Sequence, residues 1–104
     1  MKKLWRYLVQ LTHIDAEKPY YIYVLLTEHD TLYCGYTDNV EKRFEKHVNG
    51  LGAKYTKAHR PVKIVYQQEF ATKSLAMKAE KKFKSLPKET KLKIINGYLT
   101  LDAL

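Results

Sequence analysis

Apolar and polar positions alternate most regularly between Tyr20 and Thr37. Two runs rich in Tyr, Ile, Val and Leu, Tyr20–Thr27 and Thr31–Thr37, are split by Glu28-His29-Asp30. That pattern predicts a β-hairpin. Strand side chains alternate faces, so Tyr21, Tyr23 and Leu25 share one face of the first strand and Ile22, Val24 and Leu26 the other. A three-residue turn pairs odd positions with odd, Leu25 with Tyr33 and Tyr23 with Gly35. Tyr23, Tyr33 and the bare backbone of Gly35 then lie together, where a ligand can approach closely.

The period changes after the hairpin. Val40, Phe44 and Val48 form an apolar stripe, predicting a helix over 39–48 with Asp38 as cap and Glu41 as its capping-box partner. Asn49-Gly50 is a stop signal. From Gly50 to Pro61 the chain reads as a loop, and Val62–Phe70 as a third strand. A second helix begins at Thr72 or Ser74 and ends near Ser85, with Leu75, Ala79, Phe83 and Leu86 as its buried side. A short helix over 88–96 precedes Gly97. Leu99, Leu101 and Leu104 fall in a tail without an assigned place. Before Pro19, Leu4, Leu8 and Leu11 have helical spacing beside Trp5 and Val9, which suits either a short packed helix or a frayed end. The elements predict an α+β fold, a small three-stranded antiparallel sheet flanked by helices. Its expected organisation is an N-terminal extension over 1–18, one domain over 19–97 and a tail over 98–104.

Composition narrows the partners. The chain has 104 residues, a formal net charge of +8 and 45% apolar residues. A globular domain this basic points to a polyanionic partner, most often nucleic acid. The single cysteine, Cys34, allows no intrachain disulfide and suits a reducing compartment. The longest apolar run, Tyr20–Leu26, is far short of the ~20 residues that span a bilayer. These features predict a cytoplasmic protein.

Five residues could carry chemistry. Tyr23 and Tyr33 converge beside Gly35. A phenol titrates near ~10, and the many nearby cations favour its phenolate form. Arg43 and His47 are four apart and flank the stripe of the first helix. The plainer reading of their segment, EKRFEKH, is a solvated charged face. Glu80, the only acid between Ala71 and Pro87, sits among Lys78, Lys81, Lys82 and Lys84. Its plainer role is a pair with Lys84. Lys54, Tyr55, Lys57 and Arg60 make the 50–61 segment a candidate strand-contacting loop, with lysines on phosphate and Tyr55 available for stacking. No HExxH spacing supports a zinc site, and no GxxxxGK[ST] supports nucleotide hydrolysis.

Tyr21-Ile22-Tyr23 followed by Tyr33-Cys34-Gly35 resembles the paired signature of the GIY-YIG nucleases. Arg43, His47 and Glu80 fall at similar spacings, and Asn49–Thr56 and Arg60-Pro61-Val62 resemble the small single-domain bacterial members. The resemblance covers about Pro19 to Gly97. It implies a metal-dependent phosphodiesterase acting on DNA, or RNA, in repair or recombination. Tyr23 and Tyr33 would line the scissile phosphate, one of them activating water, beside Gly35. Arg43 would be a forked donor to phosphate. His47 would orient water, transfer a proton or donate to phosphate. Glu80 would hold one Mg²⁺ or Mn²⁺. Two departures stand out, Tyr21 where the signature has Gly and Cys34 where it has Ile. The alternatives are a nucleic-acid-binding module of the same fold that cuts poorly, and a protein-interaction domain.

Overall fold

In the computed structural model, which describes residues 18–104, the hairpin is built from β1 (Tyr20–Thr27) and β2 (Leu32–Thr37). The N-terminal extension expected over 1–18 lies outside the described residues, apart from Lys18. Leu25 faces Tyr33 and Tyr23 faces Gly35, the expected odd-to-odd register. Asp30 closes the turn at φ 58°, a left-handed conformation that a short polar side chain tolerates. β3 (Pro61–Phe70) adds antiparallel to the other side of β1, giving the order β2-β1-β3. Among the described residues β1 is therefore central, and β2 keeps a free edge.

Each face of the sheet carries its own helix. Val40 and Phe44 of α1 (Val40–Val48) pack with Tyr23 and Leu25 on the odd face. Ala76, Ala79 and Phe83 of α3 (Lys73–Ser85) pack with Ile22, Val24 and Cys34 on the even face. Small residues at 76 and 79 let α3 lie close to the sheet. That is why Ala76 is buried where Leu75 was expected, and Leu75 is 46% exposed. α4 (Lys88–Ile95) follows and contributes Ile94 to the same core.

Three other expectations are corrected. Asn39, not Asp38, caps α1: its side chain accepts from the Lys42 backbone N–H at 3.1 Å. The third position after the cap is then Lys42, so no capping box forms, and Glu41 instead meets the positive end of the helix. The segment expected to be a loop contains a short helix, α2 (Lys54–Ala58). After Gly97 the chain returns to the core through a 3₁₀ turn, Leu101–Ala103, which buries Leu101 to 1% exposure. Among the described residues, no helix is long and apolar enough to cross a membrane.

Candidate active site

Tyr23 lies directly across the ladder from Gly35. A Cβ at position 35 would stand 2.5 Å from the Tyr23 hydroxyl, so glycine is needed there to seat the ring. The space left by the glycine is thus filled first by Tyr23 itself. The ring is 1% exposed, and its hydroxyl lies 2.8 Å from His47 Nε2. His47 follows Arg43 by one turn of α1 and is also buried. The charged segment around it is solvated, but this side chain is not.

The ring nitrogens of His47 are both engaged. Nδ1 lies 2.6 Å from Thr56 Oγ1, and that hydroxyl donates its one proton to the Ala53 carbonyl at 2.9 Å. Thr56 can therefore only accept from His47. This geometry assigns the Nδ1–H tautomer. Nε2 is left bare, and the Tyr23 hydroxyl donates to it. A relay results, running from Tyr23 through His47 and Thr56 to the backbone of α2. Gly52 lies against the same imidazole, where any Cβ would collide with Nδ1. His47 is thus enclosed by Tyr23, Gly52 and Thr56 and has no free nitrogen for a phosphate.

Burial dominates the electrostatics. It pushes the Tyr23 phenol well above its usual range, reinforced by Tyr33, with the Arg43 guanidinium opposing only in part. The expectation that neighbouring cations favour the phenolate is therefore corrected: desolvation outweighs them. Burial likewise raises the Tyr33 phenol, and there Lys84 and Arg43 oppose while Glu80 adds to the rise. His47 is lowered from 6.5, first by burial and then by the positive charge of Arg43. At neutral pH the proton sits on Tyr23 and the imidazole is a neutral acceptor. Burial also lifts the Cys34 thiol to about 12, as befits a small core residue.

A cleft of about 310 Å³ opens in front of this relay. Tyr23, Tyr33, Gly35 and Arg43 line it from the odd face. Tyr20, Tyr36, Lys73 and Glu80 line it from the even face and α3. Thr37 and Asp38 stand at the end of β2. The cleft therefore wraps the free edge of β2, where the two faces meet. Four of the five candidate residues line it, and His47 stands behind Tyr23. Lys54, Lys57 and Arg60 are exposed but do not line it. Tyr55 lines a neighbouring cleft together with Tyr33.

Sequence reasoning missed Tyr20, Tyr36, Asp38 and Lys73, and above all Thr56. The repeated Gly-x-Gly before the Ala53–Thr56 stretch was a signal that backbone packs closely there.

Glu80 is the one carboxylate on the α3 wall. One oxygen lies 3.6 Å from Lys84 Nζ, and the side chain is 19% exposed. Among the described residues no group of three His, Cys, Asp or Glu could enclose a metal. A lone carboxylate on the α3 wall of an open cleft, with Asp38 at the end of β2, fits a hard divalent ion that keeps most of its waters and shares phosphate oxygens. It does not fit a tightly enclosed ion.

A profile of the GIY-YIG catalytic domain matches residues 19–93. The chain belongs to the GIY-YIG family. It is similar to a UPF0213 protein of Staphylococcus saprophyticus, 49% identical over 77 residues that span 74% of this chain and 94% of that one. It is also similar to a UPF0213 protein of Lactiplantibacillus plantarum, at 45% over 85 residues, 80% of this chain and 84% of that one. A solved relative, the solution NMR structure of a UPF0213 protein from Bacillus halodurans, superposes with a TM-score of 0.50 at 35% identity. The match covers 75% of this chain and 83% of that one. The α+β architecture is thus shared with a solved member. The relatives' names state no activity. Family membership supports a nuclease-like function on nucleic acid, and nucleases of this family generally use divalent metal ions.

Proposed function

We propose that this protein hydrolyses phosphodiester bonds in DNA, with RNA as the second choice, at the cleft on the β2 edge. The observation that carries the reading is the Tyr23–His47–Thr56 relay, set directly behind a cleft lined by Arg43 and Glu80. Arg43 offers paired N–H donors to the non-bridging oxygens of a phosphate. The Tyr33 phenol, also held protonated, is a further donor to the same group. An attacking water passes its proton to Tyr23 Oη as the Tyr23 proton moves to His47 Nε2. His47 then carries the charge, and its Nδ1–H stays on Thr56. As the water oxygen bonds to phosphorus, the P–O bond to one sugar oxygen breaks, and that leaving oxygen takes a proton from solvent in the open cleft. No free phenolate is needed at any point. Glu80 would hold a Mg²⁺ or Mn²⁺ ion, which would supply Lewis-acid charge at the phosphate oxygens.

Positioned acid–base groups of this kind contribute about 10²- to 10⁴-fold in rate. The test is a panel of single-stranded, duplex and branched DNA with Mg²⁺, Mn²⁺ or chelator, run on wild type and Tyr23→Phe. Metal-dependent cleavage that drops at least a hundredfold in Tyr23→Phe is expected. DNA that binds but is never cut would replace this reading with that of a binding module.

A further inference from the structure

A second cleft, about 260 Å³, adjoins the first and shares Tyr33 as a wall. Its floor is apolar: Cys34 and Phe83 are buried, and Leu32 lies beside them. Tyr55 forms the other aromatic wall, and Lys84 and Lys91 complete the lining. The mixture of flat rings, apolar floor and two cations differs from the polar phosphate cleft next door.

Tyr55 is held in advance of any ligand. Its hydroxyl donates to Thr31 Oγ1 at 2.7 Å. One face rests on His59, with centroids 4.3 Å apart and planes at 26°. The Tyr33 ring is nearly parallel to it, at 19°, but 6.0 Å away, so these two rings do not cover each other. A pre-positioned tyrosine loses little freedom when something stacks on it. The cleft volume is at the lower end of small-molecule pockets, ~300 Å³, and so takes one ring system rather than an extended ligand. Lys84 links the two clefts, since it pairs with Glu80 at 3.6 Å and its Nζ stands 6.0 Å from the Tyr33 ring centre.

We propose that this second cleft is a subsite for the base of a nucleotide next to the scissile phosphate, stacked against Tyr55 with Lys84 and Lys91 meeting its phosphates. The proposal deepens the nuclease reading and rests on it for the identity of the neighbouring phosphate. A base inside a duplex is stacked on both sides and cannot enter a cleft of this kind. It must be unpaired or extruded, and extrusion is easiest where the base is already unpaired. The substrate class is therefore DNA with an unpaired nucleotide at the cut, as in a single strand, a flap or a junction.

The test separates the subsite from the activity. Thymidine monophosphate and deoxyribose phosphate, which lacks only the base, are titrated into the full chain and followed by two-dimensional NMR. Wild type should bind the nucleotide about tenfold more tightly than the sugar phosphate, towards the lower end of what one stacked base contributes. The base-dependent shifts should fall on Leu32, Tyr55 and Lys91. Tyr55→Ala should remove the difference, while Tyr98→Ala, at an 80% exposed tyrosine outside both clefts, keeps it. Lys91→Gln, which leaves the aromatic walls intact, should weaken both ligands by a similar factor. Equal affinity of wild type for the two ligands overturns the subsite, whatever the variants do. A duplex with one unpaired nucleotide should then be cut at least tenfold faster than its fully paired counterpart, and equal rates would also overturn the proposal. Base-dependent binding without cleavage of any DNA would keep the subsite and refute the nuclease reading.

Discussion

Thr56→Val replaces the hydroxyl that fixes the His47 tautomer with a methyl of nearly the same shape. No cavity opens, so the effect can be worked from hydrogen bonds alone. The Ala53 carbonyl keeps a partner, because it also accepts from the Lys57 backbone N–H at 3.1 Å. His47 Nδ1–H does not, since it is buried and Thr56 Oγ1 at 2.6 Å is its bonded acceptor. One orphaned buried donor costs about 1–3 kcal/mol. For a domain of this size that lowers the melting temperature by roughly 4–8 °C per kcal/mol. The second consequence is chemical. Without Thr56 the imidazole can move its proton to Nε2, which can then no longer accept from Tyr23. Cleavage should fall by about 10²-fold, at the lower end of what acid–base groups supply. Thr56→Ser restores the hydroxyl and should restore both properties. The assays are urea unfolding, the ¹⁵N shifts of the His47 ring and the cleavage rate. Unchanged ring shifts and cleavage in a folded Thr56→Val protein would refute the relay.

Three further outcomes are expected. Glu80→Gln keeps size but loses the charge that attracts a divalent ion, so cleavage in Mn²⁺ should drop by orders of magnitude; DNA affinity should hold or rise, and stability should change by under about 1 kcal/mol, because the lost pair with Lys84 is partly solvated. Normal cleavage by that variant would remove Glu80 from the metal role. Gly35→Ala should press on the Tyr23 ring, cost about 1–3 kcal/mol by overpacking and shift the His47 ring signals through Tyr23; a melting temperature equal to wild type would contradict the packing. For pH, the His47 value is lowered by folding, so below its ordinary 6.5 the unfolded chain binds the extra proton first. Its contribution to stability is therefore present above 6.5 and is lost as pH falls towards the folded value, at no more than about 1.4 kcal/mol per pH unit. The cleavage rate should fall in the same direction, and His47→Gln should lack this part of the stability profile. Identical profiles for wild type and variant would show that His47 stays neutral throughout.

The hairpin was legible because a strand has a fixed period of two. Once the turn length is read, the register follows, and with it the Tyr23–Gly35 pairing. The same parity hid half of the cleft. It assigns Tyr20 and Tyr36 to the far face, and nothing in an alternating pattern says that β2 is an edge around which both faces reach one space. The burial of His47 was equally hidden. Its neighbours Glu45 and Lys46 are exposed, and what covers it is α2, five residues with no side-chain cap. A helix that short has no periodic signal and forms only through tertiary contact, here the Thr56–His47 bond. Leu101 was missed for the same reason: one residue in a three-residue turn has no stripe to belong to.

Reading residues by type alone also put the proton on the wrong side of the question. Counting cations around Tyr23 favours a phenolate waiting to accept from water. Burial reverses that choice, because removing a charged phenolate from water outweighs the attraction of Arg43. A protonated Tyr23 cannot serve as a base unless its own proton leaves as another arrives. Among the described residues the buried group hydrogen-bonded to it that can take the proton is His47, and that imidazole is itself kept neutral by burial and by Arg43. Transfer between the two in the resting protein is uphill from both ends. In the proposed reaction it becomes favourable only when water, pressed against a phosphate held by Arg43, begins to lose a proton to the same phenol. On this reading the relay is inert until the cleft is filled, because Tyr23 meets the cleft at one end of it while His47 and Thr56 are buried behind.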